Sequence, residues 1–380
     1  MLVVRSLQYG SGMSTTNDHF VPPHCPRTYC AYHHCATGWH WTHHGTYTRQ
    51  CEPRIIPRYR CGHCGATFSS QTFSTTYYLK RPELLEPLFH RALACSGYRQ
   101  IARETRCAHS SLMRQAARLG RHCLLLLGEA RLEEPLAKIR EPLVIDGFES
   151  FAFSQYHPLH LHLNVGARSH FTYAFTHSRL RRKGRMTAQQ KRHRGELEAE
   201  HGRADPRAIE LDMLAALQLS APRPQALEVL SDEHPAYPRA LKQLPGYAIT
   251  HHCTPSVQAR TVNNPLFPAN HLDLLLRHNS ANHKRETIAF SKRHQGVVER
   301  AAILVVWSNF GKPVSENHDA QTPAMKLGLR PGPLSPAALL AGRRFPSLIA
   351  LPGPWMEYYR GMIDTPGIAN PRRHTLKLAF

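Results

Sequence analysis

Apolar residues recur along the chain with two different periods, and these periods divide it into regions. Between residues 81 and 140, leucines recur at helical spacing and end in a leucine run at 124–127, which predicts helices. From Pro142 onward, short apolar runs come first and then alternate with longer helical patterns, a succession typical of a mixed sheet with helices packed on it. The pattern therefore predicts an α/β protein.

The same pattern places the elements of this second region. Residues 159–165 alternate between apolar and polar side chains, which is the period of two of a half-buried strand. Residues 143–145 are a continuous apolar run, and residues 226–230 are apolar except for Glu228; both are predicted to be strands of the buried type. We predict further strands at 171–175 and 247–250, and helices at 206–219, 270–288 and 295–307.

The two ends of the chain show neither period. Residues 1–20 are polar and are predicted to be disordered, and the Pro- and Gly-containing residues 311–380 are predicted to wrap around the core. Residues 24–73 are rich in Cys, His, aromatic residues and Arg, and their few apolar residues predict a region that needs a cross-link to fold. Since no apolar run reaches the ~18 residues of a membrane span, we expect a cytoplasmic protein with no membrane partner.

Close cysteine pairs supply a candidate cross-link. In a reducing compartment the 10 cysteines favour metal ligation over disulfides. Cys25 and Cys30 form one pair, and Cys61 and Cys64 form a C-x-x-C knuckle. Two such pairs separated by a strand-like span are the ligand arrangement of tetrahedral zinc, so we predict a zinc ribbon at 21–75. Free thiols are the alternative interpretation, and the wide first gap leaves other residues open as ligands: His33, His34, Cys35 and Cys51.

The charge of the chain predicts a polyanionic partner. It has 48 Lys plus Arg against 27 Asp plus Glu, a formal net charge of +21. Lys and Arg that face phosphates gain affinity through counterion release, whereas no polybasic cluster beside an apolar helix points to a membrane. Within the basic stretch 179–203, the predicted DNA contacts are Arg181, Arg182 and Lys183.

A second candidate DNA-binding element lies in the helical region. Residues 98–104 predict a short helix, 105–108 a turn and 109–121 a second helix, whose first residues would enter a major groove. Arg106 stands where such turns favour glycine and Ala108 where a capping Ser or Thr is preferred, so an ordinary helical pair is the alternative. The predicted DNA contacts here are Arg99, His109, Ser110, Ser111 and Arg114, with Arg118 and Arg121 on phosphates.

Two aspartates suggest a catalytic metal site. Asp146 and Asp232 each follow an apolar strand, and a charge in that position is costly unless a cation meets it. Two Mg²⁺ ions ~4 Å apart would activate water or a DNA 3′ hydroxyl. The alternative is that each Asp caps the turn after its strand. Asp273 and Glu286 are both candidates for the third acid, but they are ~20 Å apart at ~1.5 Å per helical residue, so only one of them can serve.

Taken together, several of these segments resemble a known family. Residues 56–69, the helical pair, the two strand-end aspartates and residues 285–291 resemble zinc-ribbon transposases of bacterial insertion sequences with a DDE-type core, over roughly residues 20–310. The family usually has Glu at the position of Asn270. The resemblance implies an RNase H-like fold at 141–310 behind a helix-turn-helix at 81–140, Mg²⁺ or Mn²⁺ dependence, binding of double-stranded DNA at inverted repeats and target, strand cleavage and transfer, and a homo-oligomer on DNA.

Two other functions remain open from the sequence. The first is a non-catalytic DNA-binding protein, either a regulator or a decayed transposase that still binds its ends. The second is an RNA-binding ribbon protein, which would bind single-stranded RNA more tightly than duplex DNA. Metal-dependent cleavage that is lost on substitution of Asp146 or Asp232 separates the enzyme from both.

Overall fold

The computed structural model describes residues 20–370, 373 and 374. The segment predicted to be disordered lies outside these residues except for Phe20. Among the described residues, no helix has both the length and the apolar character that crossing a membrane requires.

The N-terminal region is a small three-stranded antiparallel sheet in the order β1-β2-β3, made of β1 (Trp41–Thr48), β2 (Ile55–Cys61) and β3 (Thr67–Ser69). Short 3₁₀ helices flank it at Ala31–His33 and Ser70–Phe73. Its buried cluster has seven residues, of which three are cysteines and one comes from the far C-terminal part of the chain: Cys25, Cys30, Tyr59, Cys61, Phe68, Phe73 and Phe345. A core this small supports the expectation of a cross-link.

The helical region follows, after a 3₁₀ turn at Pro82–Leu84. It contains α1 (Leu85–Leu93), α2 (Tyr98–Glu104), α3 (His109–Ala130) and α4 (Glu134–Ala137). The helix predicted at 98–104 and the turn at 105–108 are present as predicted, and α3 runs nine residues further than the predicted end at 121. Arg106 has φ 48°, the left-handed conformation expected to cost a non-glycine residue about 1 kcal/mol. Ala108 is the N-cap of α3, and its side chain makes no capping hydrogen bond to the first turn of the helix.

The larger sheet has five strands in the order β6-β5-β4-β7-β8. Strand β5 runs antiparallel to both of its neighbours, β4 and β6, and β7 and β8 run parallel to β4 and to each other. The strand bounds are β4 (Leu143–Phe151), β5 (Pro158–Gly166), β6 (Thr172–Arg179), β7 (Ala226–Ser231) and β8 (Ala248–Cys253). The predicted mixed α/β class is therefore confirmed.

Helices cover both faces of this sheet. Helix α6 packs on β5 and β6, α8 packs on β4 and β5, and α9 packs on α3, so the helical region and the sheet share one core. The helices are α5 (Ala188–His201), α6 (Ala208–Ser220), α7 (Ala236–Leu241), α8 (Phe267–Asn279), α9 (His294–Val306), α10 (Pro323–Lys326), α11 (Pro336–Leu340) and α12 (Gly353–Arg360), with a 3₁₀ turn at Ala281–His283 and a π turn at Trp307–Gly311.

The helix predicted at 270–288 is wrong in its second half. Helix α8 ends at Asn279 because Ser280 has extended backbone angles, φ −113° and ψ 112°. The next residues turn inward instead of continuing the helix: His283 is buried, its Nδ1 lies 2.9 Å from Ser150 Oγ, and its carbonyl accepts a bond from Arg277. A tertiary contact with β4 thus replaces local helical hydrogen bonds.

The C-terminal segment packs onto the rest of the chain, in keeping with the prediction that it wraps the core. Trp355 is buried and its Nε1 donates to the carbonyl of Phe175 over 2.9 Å. Ile349 and Leu351 lie against Gly128 of α3. Phe345 packs into the core of the N-terminal sheet, so the segment joins both parts of the molecule.

The crossing of α3 and α9 gives a stability prediction. A Cβ at Gly120 would lie 2.7 Å from the Cβ and 2.9 Å from the Cα of Glu299, so Gly120→Ala should destabilise the protein by about 1–3 kcal/mol through overpacking. Gly195 lies inside α5 with nothing within 4 Å of such a Cβ, so Gly195→Ala should instead gain about 0.5–1 kcal/mol of helix propensity. Urea unfolding measures both; equal effects of the two substitutions would contradict the close crossing.

Candidate metal centres and DNA-binding surfaces

The four predicted cysteines come together at one end of the N-terminal sheet. The sulfur atoms of Cys25, Cys30, Cys61 and Cys64 all lie within 4.8 Å of one another. Cys25 Sγ is 3.7 Å from Cys64 Sγ, and Cys30 Sγ is 3.9 Å from Cys61 Sγ. Ligands at the Zn–S distance of ~2.3 Å in a tetrahedron are ~3.8 Å apart. The group can therefore bind a metal ion such as zinc.

The pKa values of these thiols are shifted in different directions: burial raises the pKa of Cys25 and of Cys30, whereas the pKa of Cys61 is lowered. Burial acts to raise the pKa of the Cys61 thiol, but hydrogen bonds from the main chain at Cys64 and from the Trp39 indole outweigh it and lower that pKa to about 6. Gly62 allows the turn of the knuckle to meet His40, whose ring would lie 2.1 Å from an added Cβ. A thiolate, not a thiol, is what a metal binds.

None of the alternative ligands belongs to this group. His33 is buried beside the site, but its ring nitrogens lie 2.8 Å from the carbonyl of Cys25 and 2.7 Å from Ser347 Oγ. Cys35 is exposed, and Cys51 Sγ is directed to the carbonyl of Leu79. His34 is also exposed. His33 therefore positions the Cys25 loop instead of ligating.

The two aspartates lie on neighbouring strands of the five-stranded sheet. Asp146 lies inside β4 and not after the end of a strand, which corrects that prediction, whereas Asp232 directly follows β7 as predicted. Strand β4 pairs in parallel with β7, Leu143 with Val229 and Val144 with Leu230. Continuing this register by two residues places Asp146 level with Asp232. Residues at equal levels on parallel neighbours project from the same face of a sheet. The two carboxylates are also close enough to repel each other, and this repulsion contributes to the raised pKa of Asp146.

Asp273 approaches the same point from α8. Along β4 the side chains of Asp146 and Phe148 share a face, and Phe148 on that face meets Arg277 of α8, whose guanidinium is 4.6 Å from the ring centroid. Asp273 lies one helical turn before Arg277. It interacts electrostatically with Asp146, and its Oδ1 is buried without a hydrogen-bond partner.

The pKa values of Asp146 and Asp273 are raised above those of ordinary carboxyl groups. Burial raises the pKa of Asp146 to about 6, helped by Asp232 and opposed by the bond from the Gly147 amide. Burial and the charge of Asp146 raise the pKa of Asp273 to about 8. Carboxylates that repel one another in a poorly solvated place are typical of sites that hold cations. Their oxygens are nevertheless more widely spaced than the sulfurs, since within the described residues only the cysteine group has all ligand atoms within 4.8 Å.

Glu286 is not part of this group. It is exposed in the irregular segment that follows Ala281–His283. The reason is the early end of α8 described above, which removes residue 286 from the helix that carries Asp273. Asn270, at the position where the family usually has Glu, precedes Asp273 by one turn on α8 and hence lies on the same side of that helix.

Two further residues near the acids were missed by the sequence reasoning. Tyr237 is buried, and its pKa is raised first by burial and then by the charges of the three aspartates and Glu149. Arg260, exposed in the loop after β8, lowers the pKa of both Asp146 and Asp273. The available signal for Arg260 was a lone basic residue in a Pro-, Ser- and Asn-containing loop, which is weak.

Several predicted DNA contacts face inward, which corrects those predictions. Arg118 is buried and donates to the carbonyls of Thr75 and Tyr77. Arg182 is buried against Gln155 and the Tyr156 ring. Guanidinium groups that satisfy carbonyls or stack inside the fold cannot reach a phosphate.

Two more arginines are only partly accessible. Arg121 is half-buried near Glu299, and burial lowers its pKa. Arg181 makes a bidentate ion pair with Glu198, with Nε–Oε1 2.7 Å and Nη2–Oε2 3.0 Å. An arginine already held by a carboxylate gives up that pair before it binds phosphate, so these two are weak DNA contacts.

The remaining predicted contacts lie at the surface. Those that are exposed are Arg99, His109, Ser110, Arg114 and Lys183, and Ser111 is half-buried. The exposed residues on α3 all belong to its first two turns, because the helix is almost wholly buried from Gln115 onward. Only the beginning of α3 can therefore enter a groove.

No known family model matches the chain, and no curated protein is significantly similar to it in sequence.

The raised pKa of Asp273 gives a prediction for stability against pH. Its folded-state pKa of about 8 exceeds the ordinary ~3.9, so the folded protein holds the extra proton between these values and loses stability as pH rises through them. Without divalent cations, Asp273→Asn should therefore exceed wild type in stability at pH 8, by on the order of 2 kcal/mol, and the difference should vanish near pH 4. Thermal unfolding measures it.

The exposed Glu286 provides the control for that experiment. Glu286→Gln should leave stability unchanged at both pH values, because no buried charge is removed. Addition of Mn²⁺ at pH 8 should stabilise wild type more than Asp273→Asn. A constant difference between Asp273→Asn and wild type from pH 4 to pH 8 would show that ionisation of Asp273 is not the cause.

Proposed function

We propose that this protein is a DNA transposase that binds the inverted repeats of an insertion sequence and catalyses metal-dependent strand cleavage and transfer. The observation that supports the proposal is that Asp146, on the strand next to β7, interacts electrostatically with Asp232 and with Asp273 of α8. Three acids from two adjacent parallel strands and one packed helix are suited to divalent cations, which prefer carboxylate oxygens.

The topology of the sheet supports an RNase H-like core. Three antiparallel strands, β4 to β6, are followed by β7 and β8, which extend the sheet on the other side of β4 in the parallel direction. This order leaves β4 at the centre, with its first acid beside the end of β7. The RNase H-like fold expected from the family resemblance has this arrangement.

Chemically, the acids would hold two cations between the enzyme and a phosphodiester. Asp146 and Asp232 are the residues that would hold them, and Asp273 would supply a third carboxylate from α8. A pair of ions ~4 Å apart neutralises the attacking and leaving oxygens of an in-line displacement, and acids spread around two ions need not all meet within the reach of one. The exposed Arg260 at the rim is placed to hold a neighbouring phosphate.

The parts in front of the core are suited to holding DNA. The ribbon region and the start of α3 are the parts that would contact DNA, and on α3 the side chains of His109, Ser110 and Arg114 are exposed. In a helix-turn-helix the start of the second helix reads bases. The net charge of +21 supports binding to duplex ends and target, and an assembly of several copies on DNA is part of the proposal.

The test is cleavage of supercoiled plasmid in the presence of Mn²⁺ or Mg²⁺. The wild-type protein should convert supercoiled plasmid to nicked circles only when the cation is added. Binding without cation-dependent nicking would replace the proposal with its alternative, a non-catalytic DNA-binding protein.

A further inference from the structure

A large groove lies between the N-terminal sheet and the C-terminal segment, on residues that the proposed catalytic site does not use. Its volume is about 1120 Å³, at or above the ~300–1,000 Å³ of pockets that bury small ligands. Three parts of the chain form its walls: the ribbon, the segment 77–80 and residues 343–360. A groove of this size and openness fits a polymer better than a metabolite.

The groove is basic and aromatic. Six Lys and Arg residues line it and no Asp or Glu does; the six are Arg27, Arg49, Arg58, Lys80, Arg343 and Arg360. Three tyrosines of the lining also reach solvent, with 75% of Tyr29, 39% of Tyr47 and 66% of Tyr78 exposed. Exposed rings interleaved with cations are the pattern of surfaces that stack unpaired bases and follow a phosphate backbone.

The backbone at Tyr78 is unusual. Its φ is 60°, which is rare and unfavourable for a bulky residue, and its ring lies edge-on to Tyr77 with centroids 4.6 Å apart. The strained conformation keeps a large apolar ring in solvent, where it gains nothing from burial. Strain of this kind persists where the surrounding fold enforces it and is concentrated at binding sites.

The C-terminal segment completes the wall beside these tyrosines. Arg343 is buried between the rings of Tyr77, at 5.0 Å, and Phe345, at 4.7 Å, and its side chain donates to the carbonyl of Thr72 over 3.2 Å. The main-chain amide of Arg343 donates to the carbonyl of Phe73. These bonds fix residues 343–345 to the ribbon, so the groove is preformed.

We propose that this groove binds single-stranded DNA, with bases stacked on Tyr78 and its neighbouring tyrosines and phosphates on Arg27, Arg58 and Lys80. Duplex DNA is a less suitable ligand, because the faces of its bases are stacked on one another and cannot stack on the exposed tyrosine rings. An acidic protein would use the positive charges of the groove but has no bases to stack on these rings. The inference rests on the proposed function only in naming DNA as the strand, since DNA cleavage and transfer expose unpaired ends.

The experiment measures fluorescence anisotropy of a labelled single-stranded DNA of about 12 nucleotides, with a matching RNA strand and a matching duplex, on the full-length zinc-loaded protein without divalent cations. Wild type should bind the DNA strand more tightly than the RNA. Tyr78→Ala should weaken binding of the DNA strand roughly 10-fold, within the range typical for loss of one stacked base, while Tyr78→Phe stays within about twofold because the ring is retained.

The matched control for Tyr78 is Phe153. It is also an exposed aromatic residue with φ 60°, but it lies outside the groove. Phe153→Ala should bind the strand as wild type does. Zinc content and melting temperature of each variant identify any general loss of folding.

A charge-removal pair tests the groove independently of Tyr78. Arg27→Ala with Lys80→Ala should weaken strand binding and reduce the slope of log affinity against log salt by about 1.4, at ~0.7 per phosphate contact. Arg223→Ala with Lys242→Ala removes the same charge at exposed positions outside the groove. This control should change the strand affinity and the salt slope less than Arg27→Ala with Lys80→Ala does.

The outcomes separate this inference from the proposed function. If strand binding depends on Tyr78, the proposal of a DNA-binding groove is supported even when the protein does not nick plasmid. If the protein nicks plasmid but Tyr78→Ala binds the strand as wild type does, the groove proposal is overturned and the proposed enzyme activity is not. Tighter binding of RNA than DNA, or an equal loss of duplex binding in Tyr78→Ala, also overturns the groove proposal.

Discussion

Replacing Asp146 by Asn is expected to lower cation-dependent plasmid nicking by about 10³-fold or more, which is ~4 kcal/mol of transition-state stabilisation. Asp146 lies level with Asp232 on neighbouring parallel strands and also meets Asp273, so its carboxylate is the one shared by all pairs in the group. An amide has nearly the same shape but carries no charge and holds a divalent cation poorly. Nicking rates with Mn²⁺ measure the effect.

Binding of DNA by the same variant should be preserved or improved. Asp146→Asn removes a negative charge from the proposed catalytic site, and it also removes the cost of burying that charge. A gel-shift assay with duplex DNA in the absence of cations therefore separates catalysis from binding. Equal nicking rates for wild type, Asp146→Asn and Asp232→Asn would contradict the proposal that these acids catalyse DNA cleavage.

The third acid can be assigned by the same assay. Asp273→Asn is expected to lower the nicking rate nearly as much as Asp146→Asn, because the Asp273 carboxylate interacts electrostatically with Asp146 and its buried Oδ1 has no hydrogen-bond partner. Glu286→Gln is the matched control, since Glu286 is exposed on the segment after α8. A loss in Glu286→Gln with none in Asp273→Asn would require the segment 284–290 to move onto the acids when DNA binds.

Much of the fold could be predicted because local pattern and tertiary structure agree there. The alternation at 159–165 is β5, the apolar run at 226–230 is β7, and residues 98–104 form α2. The burial of the two strands differs from the prediction, however. Strand β5 is not half-buried, because His160, His162 and Asn164 are buried together with its apolar residues. Strand β7 is not buried on both faces, because Ala226 and Glu228 are exposed. The cysteine group was also predictable, since the C-x-x-C knuckle fixes two sulfurs locally and the second pair has few other places to go.

The end of α8 could not be predicted from its own sequence. Residues 279–288 contain no proline or glycine, and their composition permits a helix. The chain leaves the helix because His283 reaches Ser150 on β4, 133 positions away in sequence. Local propensities of a few tenths of a kcal/mol per residue are overridden by such a buried contact, and nothing in the local segment reports it.

The inward orientation of arginines such as Arg118 could not be predicted from the sequence for a similar reason. Arg118 has the spacing of an exposed helical residue, but the segment at Thr75–Tyr77 lies over that part of α3 and its carbonyls accept the guanidinium bonds. Which side of a helix is covered depends on chain that precedes or follows it by tens of residues. Charge alone therefore identifies a DNA-binding protein more reliably than it identifies the residues that touch DNA.

Loss of the metal from the cysteine group is expected to unfold the N-terminal region. Replacing Cys61 by Ser should abolish the binding of about one zinc ion per chain, measured by elemental analysis, and should make residues 24–73 sensitive to proteases. Zinc binding to structural sites contributes on the order of 10–16 kcal/mol at neutral pH. The core that would remain consists of a few aromatic rings, and a core of that size does not hold a sheet of this kind without a metal.

Cysteine variants are a more specific test of this site than chelators, because a chelator would also remove the cation proposed to bind at the acids. Cys35→Ser is the matched control: Cys35 is exposed in the same region and lies outside the group, so it should retain zinc and protease resistance. Since the ribbon forms one wall of the groove, Cys61→Ser should lose strand binding together with zinc. Full zinc content in Cys61→Ser, or loss of zinc in Cys35→Ser, would mean that other residues hold the ion and that the sulfur distances of 3.7 and 3.9 Å do not reflect a shared metal.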